Sequence, residues 1–270
     1  MDQEDYLLGV NDTELERLRF QHSVWGPLTR EYFRRLGVSA GWKVLDAGAG
    51  PGFVTMDLRE LVGAEGEVTA LEASSFYLQE CRKQAQERGF NDIRFVQGLV
   101  EEVSLPPNRF DLVFSRWVLS FAPDPERFFL SLLRFLKPGG IIAFQDYYYE
   151  GLSLWPTGGA FDGMADVVRR YYRAAGGNPY VTGELPALFR SHDVTLLEFI
   201  PHCLAGGPQS PIMEWGHRFF TTHAEAMIEK GATSQETASA MVADWHEHMK
   251  NPDALFFSPI VVDVAGTKPL

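Results

Sequence analysis

The chain of 270 residues has little cysteine and no excess of positive charge. Its two cysteines, Cys81 and Cys203, lie far apart, and 24 Lys and Arg stand against 36 Asp and Glu, for a formal net charge of -12. No apolar run approaches the roughly 20 residues of a membrane span, and the acidic start lacks the apolar core of a secretory signal. These absences argue against a disulfide scaffold, a nucleic-acid binder and a membrane partner. They predict reduced thiols in a cytoplasmic protein.

Metal-binding patterns are absent as well. His246 and His248 are two residues apart, so their rings would point away from each other on the predicted helix. No combination of Cys, His and acidic residues has the spacing of metal ligands, and the sequence therefore predicts no metal.

Predicted strands and helices alternate along most of the chain, which indicates a parallel sheet covered by helices on both faces. The first strand is predicted to end at residue 47. Six further strands are predicted over 67–72, 93–97, 110–115, 141–146, 194–200 and 256–265. The helices are predicted over 14–25, 28–36, 53–62, 76–88, 125–136, 161–175, 184–192, 211–230 and 234–250, with Pro27 breaking the first pair.

A glycine-rich turn follows the first predicted strand. Gly48, Gly50 and Gly52 have the spacing G-x-G-x-G, whereas the dinucleotide fingerprint places its third glycine one position later, at Phe53 here. Asp46 stands two residues before the first glycine, where its carboxylate would repel a pyrophosphate. The loop therefore favours a ligand that carries an ammonium group and no phosphate.

The second predicted strand ends in Glu72. An acid at this place in a doubly wound sheet can accept hydrogen bonds from both hydroxyls of a ribose. Together, Asp46, the glycines and Glu72 predict a pocket for a nucleoside with a cationic amino-acid tail. S-adenosylmethionine (SAM) is such a molecule.

From about residue 42 to residue 146, the chain resembles class I SAM-dependent methyltransferases, close to the ubiquinone/menaquinone type and other small-molecule methyltransferases. The resemblance rests on VLDAGAGPG, LEAS, RFDLVFSRWVLSFAPDPERFF and LLRFLKPGGIIAFQD, in this order. It implies an α/β fold, a doubly wound and mostly parallel seven-stranded sheet of the Rossmann-like type, with an antiparallel last strand between the fifth and sixth. It further implies a helical lid over 1–37 and a SAM-binding core over 38–146. Residues 147–270 would then form substrate-covering helical insertions after strands five and six, together with the last two strands that complete the sheet.

The resemblance also assigns cofactor contacts. Leu99 stands where the family usually has an Asp or Asn that accepts from the adenine amino group, so the backbone of Leu99 and Val100, or the side chain of Glu101, would meet the adenine instead. The full set of expected contacts is Tyr6, Arg17 and Gln21 from the lid, Asp46, Gly48, Ala49, Gly50 and Gly52 from the loop, Glu72, Ala73 and Tyr77 around the ribose and adenine, and Leu99, Val100, Ser115 and Arg116 from the later strand ends.

The predicted function is methyl transfer from SAM to a small organic acceptor, with S-adenosylhomocysteine as the product. The aromatic residues after position 146 favour an apolar or aromatic acceptor, although the helical spacing of two of them, Trp215 and Phe219, is also what core packing would give. Whether O, N, C or S is methylated stays open, and the catalytic candidates are His22, Arg116, Tyr147 and His217. The protein is expected to be a monomer or homodimer. Two alternatives are a non-catalytic SAM-binding regulator or scaffold and an NAD-dependent oxidoreductase.

Overall fold

The computed structural model describes residues 11–270, which contain ten strands and eight α-helices. The strands are β1 (Lys43–Ala47), β2 (Glu67–Glu72), β3 (Arg94–Gln97), β4 (Phe110–Arg116), β5 (Leu136–Tyr148), β6 (Ser153–Trp155), β7 (Thr195–His202), β8 (Ala205–Gly206), β9 (Leu255–Phe257) and β10 (Ile260–Thr267). The helices are α1 (Asp12–Arg35), α2 (Phe53–Val62), α3 (Ser75–Glu87), α4 (Pro125–Phe135), α5 (Met164–Ala174), α6 (Val181–Ser191), α7 (Pro211–Glu229) and α8 (Gln235–Lys250).

Seven strands form the main sheet in the order β3-β2-β1-β4-β5-β10-β7. The first five strands are parallel, and β10 runs antiparallel to both β5 and β7. The predicted fold class is therefore confirmed, including the place of the last strand. The strand order reverses between β1 and β4, and ligands of open α/β sheets bind beyond the carboxyl ends of the strands at such a point.

Side chains that alternate along the strands form two hydrophobic clusters. Val44 and Phe114 belong to one cluster, and Leu45 and Val113 belong to the other, because successive side chains point to opposite faces of the sheet. A third and largely aromatic cluster lies among α1, α5, α7 and α8 and includes the fully buried Trp25. The N-terminal helix and the insertions thus share a core of their own beside the sheet.

Helix α1 corrects one expectation. It is continuous from Asp12 to Arg35, with Pro27 inside it, so the break predicted at Pro27 is wrong. A proline removes one backbone donor, but Trp25, Tyr32 and their neighbours bury one side of this helix, and this packing keeps the helix continuous through that position. The helix is capped by Asn11, whose side chain accepts from the backbone N–H of Glu14 at 2.9 Å.

The last predicted strand, 256–265, is in fact two strands. Ser258 and Pro259 separate β9 from β10, because Pro259 has no N–H for a ladder and Ser258 N–H donates to the carbonyl of Leu204. Strand β9 instead joins β6 and β8 in a small antiparallel sheet that the sequence did not indicate. The insertions after β5 and β7 are helical as expected, whereas the boundaries at residues 37 and 146 stay predictions.

Candidate active site

A cavity of about 360 Å³ opens where the carboxyl ends of β1, β2, β4 and β5 meet helix α1. This volume is within the usual range for small-molecule sites, roughly 300–1,000 Å³. One part of its wall is the glycine-rich loop with two acids, a second part is polar side chains of α1, and a third part is aromatic.

The loop after β1 requires glycine at two positions. Gly48 has φ +76°, and a Cβ there would lie 2.3 Å from Cγ2 of Val118. Gly52 has φ +89°, and a Cβ there would lie 2.2 Å from Sγ of Cys81. Left-handed backbone and these close approaches both exclude larger residues. The loop therefore packs closely against the segment that follows β4 and against α3, and Gly48 lines the cavity.

Asp46 lies at the end of β1 and is almost completely buried. Its Oδ2 accepts a hydrogen bond of 2.6 Å from the hydroxyl of Thr55 on α2. Burial raises the pKa of Asp46 to about 6, although the Thr55 hydroxyl and the charge of Arg116 act in the opposite direction. This carboxylate is therefore mostly ionised at neutral pH and would gain from a cationic ligand group.

Glu72 lies at the end of β2, in the strand next to Asp46. Its Oε2 accepts from the backbone N–H of Gly50 and its Oε1 from that of Ser74, both at 2.8 Å. Burial raises the pKa of Glu72, and these backbone donors oppose the rise. Because each carboxylate oxygen can accept two hydrogen bonds, Glu72 keeps acceptor capacity for a ligand.

Helix α1 contributes a buried ion pair. Arg17 donates to both carboxylate oxygens of Glu14 at 2.7 Å and, through Nη1, to Oε1 of Gln21 at 2.9 Å. The same Gln21 oxygen accepts from Nε1 of Trp215 on α7 at 3.0 Å. Burial lowers the pKa of Arg17 but its hydrogen bonds with Glu14 raise it further, so Arg17 stays charged. The ion pair lies within α1, and the hydrogen bond from Trp215 to Gln21 joins this helix to α7 beside the cavity.

Arg116 lies at the end of β4 and lines the same cavity as the polar side chains of α1. Its Nη1 donates to Oγ1 of Thr29 at 2.9 Å, and its Nη2 lies 3.2 Å from Nδ1 of His22. Burial lowers the pKa of Arg116 to about 10, while the charges of Asp46 and Asp57 raise it.

Aromatic side chains close the opposite part of the cavity. Trp117 stacks on Tyr147, with ring centroids 5.9 Å apart, and Tyr172 stands edge-on to Tyr147 at 6.2 Å. Within residues 11–270 the Tyr147 hydroxyl has no hydrogen-bond partner, and burial raises the pKa of this group, so it keeps its proton at neutral pH. Trp117 has φ +54°, a strained value for a tryptophan. This wall fits an apolar or aromatic molecule.

The structure brings most of the expected contacts together. Arg17, Gln21, Asp46, Gly48, Ala49, Gly50, Glu72, Ala73, Leu99, Val100 and Arg116 all line the cavity, as do Glu101 and the catalytic candidate Tyr147. Tyr6 lies outside the described residues.

Five other candidates do not line the cavity. Gly52 faces Cys81, the Ser115 hydroxyl donates to the carbonyl of Ala47, and Tyr77 is fully buried in α3. His22 stands behind Arg116, and His217 packs against His246 with ring centroids 5.7 Å apart. The other four side chains therefore contact other parts of the protein and not the cavity.

Sequence reasoning missed Glu14, Phe121 and Tyr172 as lining residues. Glu14 could have been found from its i, i+3 spacing to Arg17, which puts both on one side of a helix. Phe121 lies in a short 3-10 helix after β4, and Tyr172 comes from the insertion, so neither had a motif to mark it.

Comparison with known proteins identifies the fold's family. A family model described as "Methyltransferase domain" matches residues 38–175, about half of the chain. The chain belongs to this family. The predicted resemblance to class I SAM-dependent methyltransferases is thereby confirmed.

Curated relatives and solved structures agree with the family. The chain is 32% identical over 136 residues to a ubiquinone/menaquinone biosynthesis C-methyltransferase of Psychromonas ingrahamii, covering 49% of this chain and 53% of that protein. It thus spans about half the length of the curated relatives that it matches. A putative methyltransferase from Bacillus halodurans has the same fold, with TM-score 0.61, 18% identity, and coverage of 89% of this chain and 98% of that one.

A Haemonchus contortus phosphoethanolamine N-methyltransferase 2, solved in complex with S-adenosyl-L-methionine, also shares the fold. Its TM-score is 0.52 at 18% identity, over 86% of this chain and 50% of that one. In the part of the chain from residue 11 onward, no three His, Cys, Asp or Glu residues come together as a group that could hold a metal, and no helix is long and apolar enough to cross a bilayer.

Proposed function

We propose that this protein transfers a methyl group from SAM to a small organic acceptor with an apolar or aromatic body. The observation that carries the proposal is the charge of the cavity. Four carboxylates, Glu14, Asp46, Glu72 and Glu101, line it together with two guanidinium groups. Glu14 is already paired with Arg17. The cavity therefore has three further carboxylates but only one further guanidinium, that of Arg116. This excess favours a ligand that carries more positive than negative charge.

The cavity residues fit SAM in two further respects. A Cβ built on Gly50 meets no atom within 4 Å, so this stretch of loop backbone borders open space that a ligand can enter. Glu72, which keeps acceptor capacity for a ligand, would hold the ribose hydroxyls, and Asp46 would hold the ammonium group. Leu99, Val100 and the other lining residues named above would complete the cofactor site.

SAM supplies a methyl group activated by its positively charged sulfur. The protein's task is then to hold the acceptor in line with that group, and such positioning can account for much of a rate enhancement. Trp117, Tyr147 and Tyr172 would hold the acceptor's apolar body. The Tyr147 hydroxyl, protonated and without a partner among the described residues, would donate a hydrogen bond to an acceptor heteroatom.

All seven histidines of the chain are described, and none of them lines the cavity. We therefore infer a reaction without a histidine base, on a nucleophile that needs no deprotonation or is ionised before it binds. His22 and His217 are not expected to touch the acceptor.

The first test is ligand binding measured by calorimetry. We expect S-adenosylhomocysteine to bind and NAD not to bind. Glu72→Gln should weaken binding by about 10- to 100-fold, the scale for losing hydrogen bonds to a charged group. Glu67→Gln is the matched control, because Glu67 stands at the other end of β2 in surface ion pairs with Lys43 and Arg109. Binding of NAD, or unchanged binding in Glu72→Gln, would contradict the proposal.

The second test separates an enzyme from a scaffold. The wild-type protein would be incubated with SAM and a panel of phenols, quinols and amines, and S-adenosylhomocysteine would be measured. We expect turnover with at least one aromatic acceptor. Tight binding without turnover on any acceptor would favour the alternative of a non-catalytic SAM-binding regulator.

A further inference from the structure

The guanidinium of Arg116 differs from the other buried cation of the cavity in having no carboxylate partner. Arg17 is bound by both oxygens of Glu14 at 2.7 Å. In contrast, no carboxylate oxygen of residues 11–270 lies within 4.0 Å of Arg116, and the charges of Asp46 and Asp57 act on it only from farther away. A buried cation without an anionic partner is costly unless a ligand supplies one. Since Arg116 lines the cavity, such a ligand can reach it.

Neutral groups hold this guanidinium from behind. Nη1 donates to Oγ1 of Thr29 at 2.9 Å, and Thr29 in turn donates to Oε1 of Gln145 at 2.6 Å. The amide of Gln145 donates to Oδ1 of Asp263 at 2.7 Å. A chain of hydrogen bonds therefore runs from the cavity through α1 and β5 to β10, and it fixes the hydroxyl of Thr29 as an acceptor for Arg116.

His22 holds the second terminal nitrogen of the Arg116 guanidinium, Nη2. A guanidinium can only donate, so the contact of 3.2 Å requires that Nδ1 of His22 accepts and that the ring carries its proton on Nε2. Nε2 faces Oδ2 of Asp57 at 3.4 Å, which suits that tautomer. The ring also stacks on Phe53, with centroids 5.5 Å apart.

The charges around His22 favour its neutral form. Burial lowers the pKa of His22, and the positive charges of Arg116 and Arg30 lower it too, while Asp57 raises it. At neutral pH the ring therefore remains an acceptor. The Trp117 ring also orients the guanidinium of Arg116, whose Cζ lies over the ring at 4.5 Å from its centroid.

We propose that Arg116 is the carboxylate receptor of the cavity and that His22 is a positioning residue for it. The inference rests on the proposed function for the identity of the ligands. Two of the five guanidinium N–H donors are engaged by Thr29 and His22, and the others are available for a carboxylate, which arginine binds in a forked geometry. The carboxylate belongs either to the methionine part of SAM or to the acceptor.

The experiment compares ligands that differ in one charge. The first arm measures binding of S-adenosylhomocysteine and of its carboxamide, in which the carboxylate is neutral and the ammonium is kept. The second arm measures benzoate and benzamide with S-adenosylhomocysteine already bound. In at least one arm we expect the carboxylate to bind about 10- to 100-fold more tightly than the amide. The arm that discriminates identifies the source of the carboxylate.

Variants then test the residues. Arg116→Met should remove the discrimination, and Arg116→Lys should retain part of it as a point charge. Arg88→Met is the control, because Arg88 makes an exposed ion pair with Glu60 at 3.2 Å. His22→Asn offers an acceptor in place of Nδ1 and should keep the discrimination within about threefold, whereas His22→Leu should reduce it. Urea unfolding of each variant would show that it is folded.

The proposal for Arg116 is overturned if carboxylate and amide bind alike in both arms, or if the discrimination survives in Arg116→Met. The role of His22 is overturned if His22→Asn and His22→Leu behave alike. Failure of the wild-type protein to bind either S-adenosylhomocysteine or its carboxamide would instead contradict the proposed function, so the two failures can be told apart.

Discussion

Asp46→Asn should make the protein without ligand more stable while weakening its affinity for S-adenosylhomocysteine. Burial raises the pKa of Asp46 to about 6 from the model-peptide value of 3.8. The folded state therefore binds more protons than the unfolded state between these values, and the stability contribution of the protonated carboxyl is lost as pH rises through 6. At pH 8 the ionised carboxylate costs about 3 kcal/mol of unfolding free energy.

Asparagine removes that cost and keeps the acceptor for the Thr55 hydroxyl, which donates to Oδ2 of Asp46 at 2.6 Å. Urea unfolding followed by tryptophan fluorescence should then show Asp46→Asn more stable by up to about 3 kcal/mol at pH 8 and by about half of that at pH 5. Calorimetry at pH 8 should show S-adenosylhomocysteine bound about 10- to 100-fold more weakly, because the contact of the carboxylate with the ammonium is lost.

Asp146→Asn is a matched control for binding. Burial raises the pKa of Asp146 to about 6 as well, and its carboxylate accepts from the backbone N–H groups of Ser120 and Tyr147 without lining the cavity. Its substitution should change stability but leave the affinity for S-adenosylhomocysteine intact. If Asp46→Asn is no more stable than the wild-type protein at pH 8, or if it binds the ligand equally well, the reasoning about this carboxylate is refuted.

Three further experiments have defined outcomes. Leu99→Asp should tighten binding of S-adenosylhomocysteine, or at least not weaken it, because it restores an acceptor at the cavity wall for the adenine amino group; a large loss in calorimetry would show that the adenine is held in another way. Gly52→Ala should lower the unfolding free energy by about 2–4 kcal/mol through its left-handed φ and its clash with Cys81, and Cys81→Ala should recover part of this loss but not all of it. Trypsin should cleave after the exposed Arg19 of α1 more slowly with S-adenosylhomocysteine than without it, and equal rates would argue against a lid.

Local patterns in the sequence were enough for the sheet and for one end of the site. Residues at the ends of neighbouring parallel strands meet at the same edge of a sheet, so Asp46 and Glu72 could be placed together from their positions alone. The G-x-G-x-G spacing marked the loop between them, and the structure shows left-handed φ at Gly48, which lines the cavity, and at Gly52, which faces Cys81.

The sequence was a poorer guide where one local rule competed with packing. Pro27 would end a helix in isolation, yet the buried side of α1 keeps that helix continuous. The residues at 256–265 have the pattern of one strand, but Pro259 and the pairing of β9 with β6 and β8 divide it.

By itself, the sequence determined the fold class, the family resemblance and the loop with its two acids, because these depend on the periodicity and spacing of residues close together in the chain. The tertiary structure decided what surrounds them. It brings Arg116 to Thr29 across 87 positions and Trp215 to Gln21 across 194, and it leaves Arg116 without a carboxylate in contact. Contacts of this kind arise when separate elements bury their apolar faces together, and no local pattern specifies which polar groups that burial leaves facing one cavity.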